Sequence, residues 1–117
     1  LENDLASVAT SLELKPLNLS EYEPWPGYWV AAIGSADGYE GSVAFGNVLN
    51  GSKYEVLITV PLSHGNSGGP LVDNEGNVVG VNTYGPIKEQ YNVAMSLNAL
   101  CVKIMECEND LFWKVED

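Results

Sequence analysis

Glycine and proline decide which architectures are open to this chain. The 12 glycines and 6 prolines are spread over all 117 residues, cutting the chain into short apolar segments that suit strands rather than long helices. An all-β fold is therefore the first expectation. Tyr28 to Ile33, Ser42 to Val48, Tyr54 to Val60, Pro70 to Asp73, Val78 to Asn82 and Tyr91 to Met95 read as strands. Asn50-Gly51 suits a tight hairpin turn with positive φ, and Asn74-Glu75-Gly76-Asn77 reads as the turn of another hairpin. Nearer the start, Leu5 to Thr10 reads as one more apolar strand. Leu12 to Pro26, interrupted by Pro16, Pro24 and Pro26, reads as a connector.

One helix is expected, near the end. Leu97, Leu100, Cys101, Ile104 and Met105 recur at helical spacing, with Ser96 placed to cap the first turn. If that helix ran on to Cys107, the six residues from Cys101 would rise about 9 Å, too far for a disulfide. Two free thiols are the expectation, and two cysteines are too few for a disulfide-stapled mini-domain.

Composition narrows the partners. Hydrophobic residues make up 45% and charged residues 18%, enough apolar surface for one folded domain. The net charge of −11 repels phosphate backbones and anionic headgroups, so neither nucleic acid nor membrane is an expected partner. No apolar run approaches the roughly 20 residues that span a bilayer. Asp73-x-Glu75-x-Asn77 hints at a calcium loop, but Gly76 falls at the wrong offset and Tyr84 stands where the distal acid belongs. Trp25 and Trp29 are expected to pack at the barrel entrance.

The most informative stretch is Ser63-His64-Gly65-Asn66-Ser67-Gly68-Gly69-Pro70-Leu71-Val72. A serine ringed by glycines is costly in conformational entropy, and such a loop is expected where backbone amides must point outward at a developing negative charge. Gly65 to Gly69 also fits the G-x-S-x-G elbow of α/β-hydrolases. That elbow needs a helix after the serine, whereas here strand, turn and strand follow.

Gly65-Asn66-Ser67-Gly68-Gly69-Pro70-Leu71-Val72 with Gly76-x-Val78-Val79-Gly80-Val81-Asn82 resembles the nucleophile hairpin of trypsin-like (chymotrypsin-fold) serine peptidases, in particular the bacterial HtrA type. Gly27-Tyr28-Trp29-Val30-Ala31-Ala32-Ile33-Gly34 is similar to the strand opening the family's second barrel. Tyr91-Asn92-Val93-Ala94-Met95 and the following helix resemble its end. The resemblance spans nearly all of residues 3–107. It implies an all-β, six-stranded antiparallel Greek-key barrel with a C-terminal α-helix at 28–107, preceded by an inter-barrel connector at 12–27. Residues 1–11 would be the last strand of a missing N-terminal barrel, and 108–117 a tail.

The same resemblance implies roles. Ser67 would be the nucleophile, with the amides of Gly65 and Ser67 as oxyanion hole and Asp4 orienting the catalytic histidine. Asn66 is structural in this scheme. Leu62, His64, Thr83, Tyr84, Gly85, Val93 and Ala94 would line the substrate cleft, where Thr83 to Gly85 pair with an extended peptide. With Pro61 and Leu62 where an acid would be needed, small or medium apolar P1 residues are expected and basic ones are not. Neither metal nor organic cofactor is implied, and the family points to a bacterial extracytoplasmic compartment.

One part of the pattern is missing. The family's histidine precedes its aspartate, whereas the sole histidine here is His64, three residues before Ser67. A residue of the same tight loop is badly placed to act as base. The expectation is a serine endopeptidase represented by its nucleophile-bearing barrel, inactive until a missing N-terminal barrel supplies the histidine. Leu5 to Thr10, deprived of its sheet, should lack order or pair with a neighbour as a strand-swapped oligomer. The alternative is a non-catalytic peptide-binding or scaffold module built on the same barrel.

Overall fold

The computed structural model describes residues 5–63, 65–83 and 91–113. Asp4, His64, Tyr84 and Gly85, all singled out above, lie outside the described residues. Six strands form a closed antiparallel barrel: β1 (Trp29–Gly34), β2 (Ser42–Gly51), β3 (Glu55–Ile58), β4 (Pro70–Val72), β5 (Val78–Asn82) and β6 (Asn92–Ser96). Around the barrel the order is β1-β2-β3-β6-β5-β4, so the chain crosses from β3 to β4 and the fold is the expected Greek key.

Register follows from which side chains the barrel can hide. Along β1, Val30 and Ala32 enter the core with Val48, Ile58, Leu71, Val79 and Ala94, as two-residue alternation requires. Ala31 points the other way. It is buried all the same, because a second cluster of Val72, Val78, Leu97 and Trp113 covers that face. β1 pairs with β2 from Trp29↔Asn47 to Gly34↔Ser42, and its other edge closes the barrel through Ala31↔Val72 and Ala32↔Leu71. Fully burying a side chain such as Ile58 or Leu71, both at 0% exposure, contributes roughly 1.5–3 kcal/mol each.

The helix α1 (Leu97–Lys103) starts where expected, with the Ser96 Oγ accepting from the Asn98 amide at 3.1 Å. It stops sooner. Ile104 leaves helical geometry at φ −128°, and the amides of Ile104 and Met105 both donate to the Leu100 carbonyl at 2.8 Å. That reversal brings Cys107 back to Cys101, with Cα atoms 5.4 Å apart and a disulfide between them. The expectation of free thiols fails because it assumed uninterrupted helix up to Cys107. Ile104 is 48% exposed, so the apolar stripe ends about a turn earlier than its spacing suggested. Reduction, or Cys107→Ser, is expected to lower stability by about 2 kcal/mol, the entropy of so small a loop, read as a shift of the urea midpoint.

The disulfide also settles where the tail goes. Trp113 is 8% exposed, donates its indole N–H to the Ser20 carbonyl at 3.1 Å and meets Phe112 edge to face at 5.5 Å. The Phe112 amide donates to the Asn98 side-chain oxygen at 2.7 Å. Tail and connector thus meet on the outside of the barrel.

Three other expectations change. Gly51 is the last residue of β2 and has no positive φ; the turn comes two residues later, where the Ser52 amide donates to the Glu55 carbonyl at 2.9 Å. Residues 5–17 carry no strand, although Leu5 to Thr10 was expected to be one, and Val8, Leu12 and Leu14 are exposed. The connector reaches the barrel at Leu19, bridged to Val78, with the Ser20 amide on the Val78 carbonyl at 2.8 Å. Trp25 and Trp29 are not packed at an entrance but 60% and 43% exposed, Trp29 stacking on Phe45.

Candidate functional site

The glycine-ringed serine lies on the loop entering β4. Two successive turns build that loop: the Asn66 amide donates to the Ser63 carbonyl at 3.1 Å, and the Gly69 amide to the Asn66 carbonyl at 3.0 Å. Each has glycine third, Gly65 at φ +101° and Gly68 at φ +87°, the backbone region that side chains avoid. Ser67 is exposed between them while Asn66, at 2% exposure, turns inward.

The loop is held from two sides. On one, the Ser35 amide at the end of β1 donates to the Gly65 carbonyl at 3.0 Å. Contact there is so close that a Cβ on Gly65 would lie 1.9 Å from the Ser35 carbonyl oxygen. A Cβ on Gly34 would meet the Asn66 Oδ1 at 2.7 Å, and one on Gly69 the Ile33 carbonyl oxygen at 2.2 Å. On the other side, the Gly68 amide donates to the Asn82 carbonyl at 2.8 Å, the Asn82 amide to the Gly69 carbonyl at 2.9 Å, and the Asn82 Nδ2 to the Pro70 carbonyl at 3.0 Å.

What remains unbonded matters most. The amides of Gly65 and Ser67 donate to no other described residue. Backbone donors without acceptors beside an exposed hydroxyl are what the chemistry of acyl transfer calls for, since the carbonyl oxygen gains charge as the hydroxyl adds to it.

The expected cleft residues divide. Leu62 is half-buried against the barrel core, and Thr83, 7% exposed, gives both its amide and its hydroxyl to the Val93 carbonyl at 3.1 and 2.8 Å. Val93 is half-buried beside them, while Ala94 is at 0% exposure in the barrel core. The structure therefore joins Thr83 to Val93 and packs Leu62 on the core, while the serine loop is tied to the end of β5 through Gly68, Gly69 and Asn82. Gly34, Ser35 and Asn82 went unnoticed as supports of the loop. A glycine closing β1 was the one visible signal. Among the described residues no group of three or more potential metal ligands converges.

Comparison with known proteins agrees with this geometry. The trypsin-like peptidase domain matches residues 1–81. A probable periplasmic serine endoprotease DegP-like of Hahella chejuensis is 40% identical over 92 residues, covering 70% of this chain and 20% of its own length. The anti-sigma-I factor RsgI9 of Acetivibrio thermocellus is 28% identical over 119 residues, 96% of this chain and 17% of that protein. The chain thus spans a fifth or less of these relatives. The crystal structure of Rv3671c protease in its inactive form superposes with a TM-score of 0.72 at 19% identity, over 80% of this chain and 56% of that one.

Proposed function

The chain belongs to the trypsin-like peptidase family, and from that premise we propose that it is the nucleophile-bearing barrel of a serine endopeptidase. The observation that carries the proposal is the loop itself: an exposed Ser67 beside amides of Gly65 and Ser67 that bond to no described residue. In the proposed reaction the Ser67 Oγ adds to a peptide carbonyl and its proton passes to a histidine base. The two amides hold the oxyanion, the protonated amine departs, and water then frees the acyl group. Asp4 would orient that histidine, which comes from sequence outside these 117 residues, since the only histidine here is His64 in the serine's own loop.

Thr83 to Gly85 would pair with the extended substrate, and Leu62, His64 and Val93 would surround its P1 residue, small or apolar for want of an acid; Ala94, expected beside them, is enclosed in the barrel core and takes no part. Two observations support an extracytoplasmic site of action. DegP-like relatives are named periplasmic, and the Cys101–Cys107 disulfide is the kind of bond an oxidising compartment sustains.

The test uses the longer, histidine-containing protein and a fluorophosphonate, with the adduct located by mass spectrometry. The adduct is expected on Ser67 and absent from Ser67→Ala; an adduct elsewhere, or peptide cleavage undiminished by that substitution, sinks the proposal. A second reading has its own support, because the barrel matches a protein named as an anti-sigma factor along almost this entire chain. A peptide-binding scaffold would bind extended peptides yet give no adduct at Ser67 in any longer form.

A further inference from the structure

A second concavity lies away from the serine loop, between the connector and the β4–β5 hairpin. It encloses about 440 Å³ and is walled by Tyr22, Tyr28 and Trp29, with Asp73 and Glu75 at its hairpin side. An adjoining hollow of similar volume shares Tyr22 and Glu75 and adds Glu21. Aromatic faces attract cations through their quadrupole, most strongly where carboxylates stand at the rim. Among the described lining residues no side chain is basic.

The backbone that carries the walls is held by its own hydrogen bonds. Ser20, 1% exposed, accepts the Trp113 indole N–H on its carbonyl, and its hydroxyl takes the Tyr22 amide at 3.1 Å, which ties down the backbone carrying Tyr22. Across the hollow, the Asp73 Oδ1 accepts from the amides of Glu75 and Asn77 at 2.9 Å each, so the hairpin that bears Glu75 is held as well. Tyr22 is 72% exposed and Trp29, stacked on Phe45, 43% exposed, so aromatic surface remains accessible at the hollow. Backbone held in this way reduces the ordering cost of binding.

We propose that this hollow binds a basic side chain, arginine above all, presented by a polypeptide. The occupant is set by charge: the rim carries carboxylates, the walls are π-faces, and the whole chain bears −11. The guanidinium fits both features, stacking on a ring while bonding to a carboxylate. The site is also remote from Ser67. Trp29 opens β1 at the hollow, and Gly34 closes it against Asn66. Five strand steps separate them, about 17 Å. A segment docked here leaves the serine loop free, so the hollow is an exosite, and it exists whether or not Ser67 is catalytic.

The test is a titration of the 117-residue chain, followed by amide NMR shifts, with an acetylated and amidated glycine peptide carrying one central arginine. Saturable shifts centred on Tyr22, Trp29 and Glu75 are expected, with a dissociation constant on the order of ten millimolar. Affinity should fall at least about fivefold with citrulline in place of arginine, in Tyr22→Ala and in Glu21→Gln/Glu75→Gln, and should weaken with added salt. Tyr22, Glu21 and Glu75 are exposed, so these variants keep the barrel, which their unchanged remaining spectrum verifies. Non-saturating shifts spread over the acidic surface, equal binding of the citrulline peptide, or indifference to the substitutions would overturn the assignment.

Discussion

Gly65→Ala is expected to lower the unfolding free energy by about 3 kcal/mol, more than any other single methyl group added to the serine loop. Two costs combine. A non-glycine residue at φ +101° pays roughly 1–3 kcal/mol for its backbone conformation. The new Cβ would also stand 1.9 Å from the Ser35 carbonyl oxygen, a backbone atom that cannot swing aside. Relief requires β1 and the loop to part, which breaks the Ser35 amide bond to the Gly65 carbonyl, worth about 1 kcal/mol more. Gly68→Ala is the control. Its φ is +87°, yet a Cβ there meets nothing within 4 Å, so only the conformational cost of about 1 kcal/mol applies. Urea midpoints at equal slope measure the difference. Equal losses in the two variants would mean that β1 does not brace the loop.

That bracing shows what sequence reveals and what it hides. Strands were legible because glycine- and proline-bearing turns cut the chain into short apolar segments such as Tyr28 to Ile33 and Val78 to Asn82. The serine loop was legible because both its turns demand glycine at third position. Contacts across sequence distance were not. Nothing around Ser35 announces that its amide meets the Gly65 carbonyl, since two loops that far apart in the chain become neighbours only once β1 and β4 pair. The disulfide was hidden for a related reason. Helical spacing from Leu97 to Met105 reports which positions could be apolar, whereas the stop at Ile104 is a backbone reversal, the Ile104 and Met105 amides both turning onto the Leu100 carbonyl, that spacing does not announce. At Asn50-Gly51 local turn preference lost to the ladder, because extending β2 to Gly51 lets it pair with Val56.

Fluorophosphonate labelling of the 117-residue chain should be slower than that of the longer, histidine-bearing protein by roughly 10³-fold or more. A serine hydroxyl is a weak nucleophile until a base takes its proton, and the proposed oxyanion donors, the amides of Gly65 and Ser67, which bond to no described residue, would stabilise charge only after attack has begun. The oxyanion donors therefore set how far the reaction benefits once started, and the base sets whether it starts at neutral pH. These contributions separate experimentally. In a longer, histidine-bearing form, His64→Ala is expected to leave the labelling rate within about threefold, as the sequence separation of three residues from Ser67 suggests for a residue that is not the base. On the proposed reading, replacing the base histidine supplied from outside these residues should return the rate to that of the isolated chain. If the isolated chain instead labels as fast as the longer protein, and His64→Ala abolishes that labelling, the base belongs to the serine's own loop and the two-barrel division of labour is wrong.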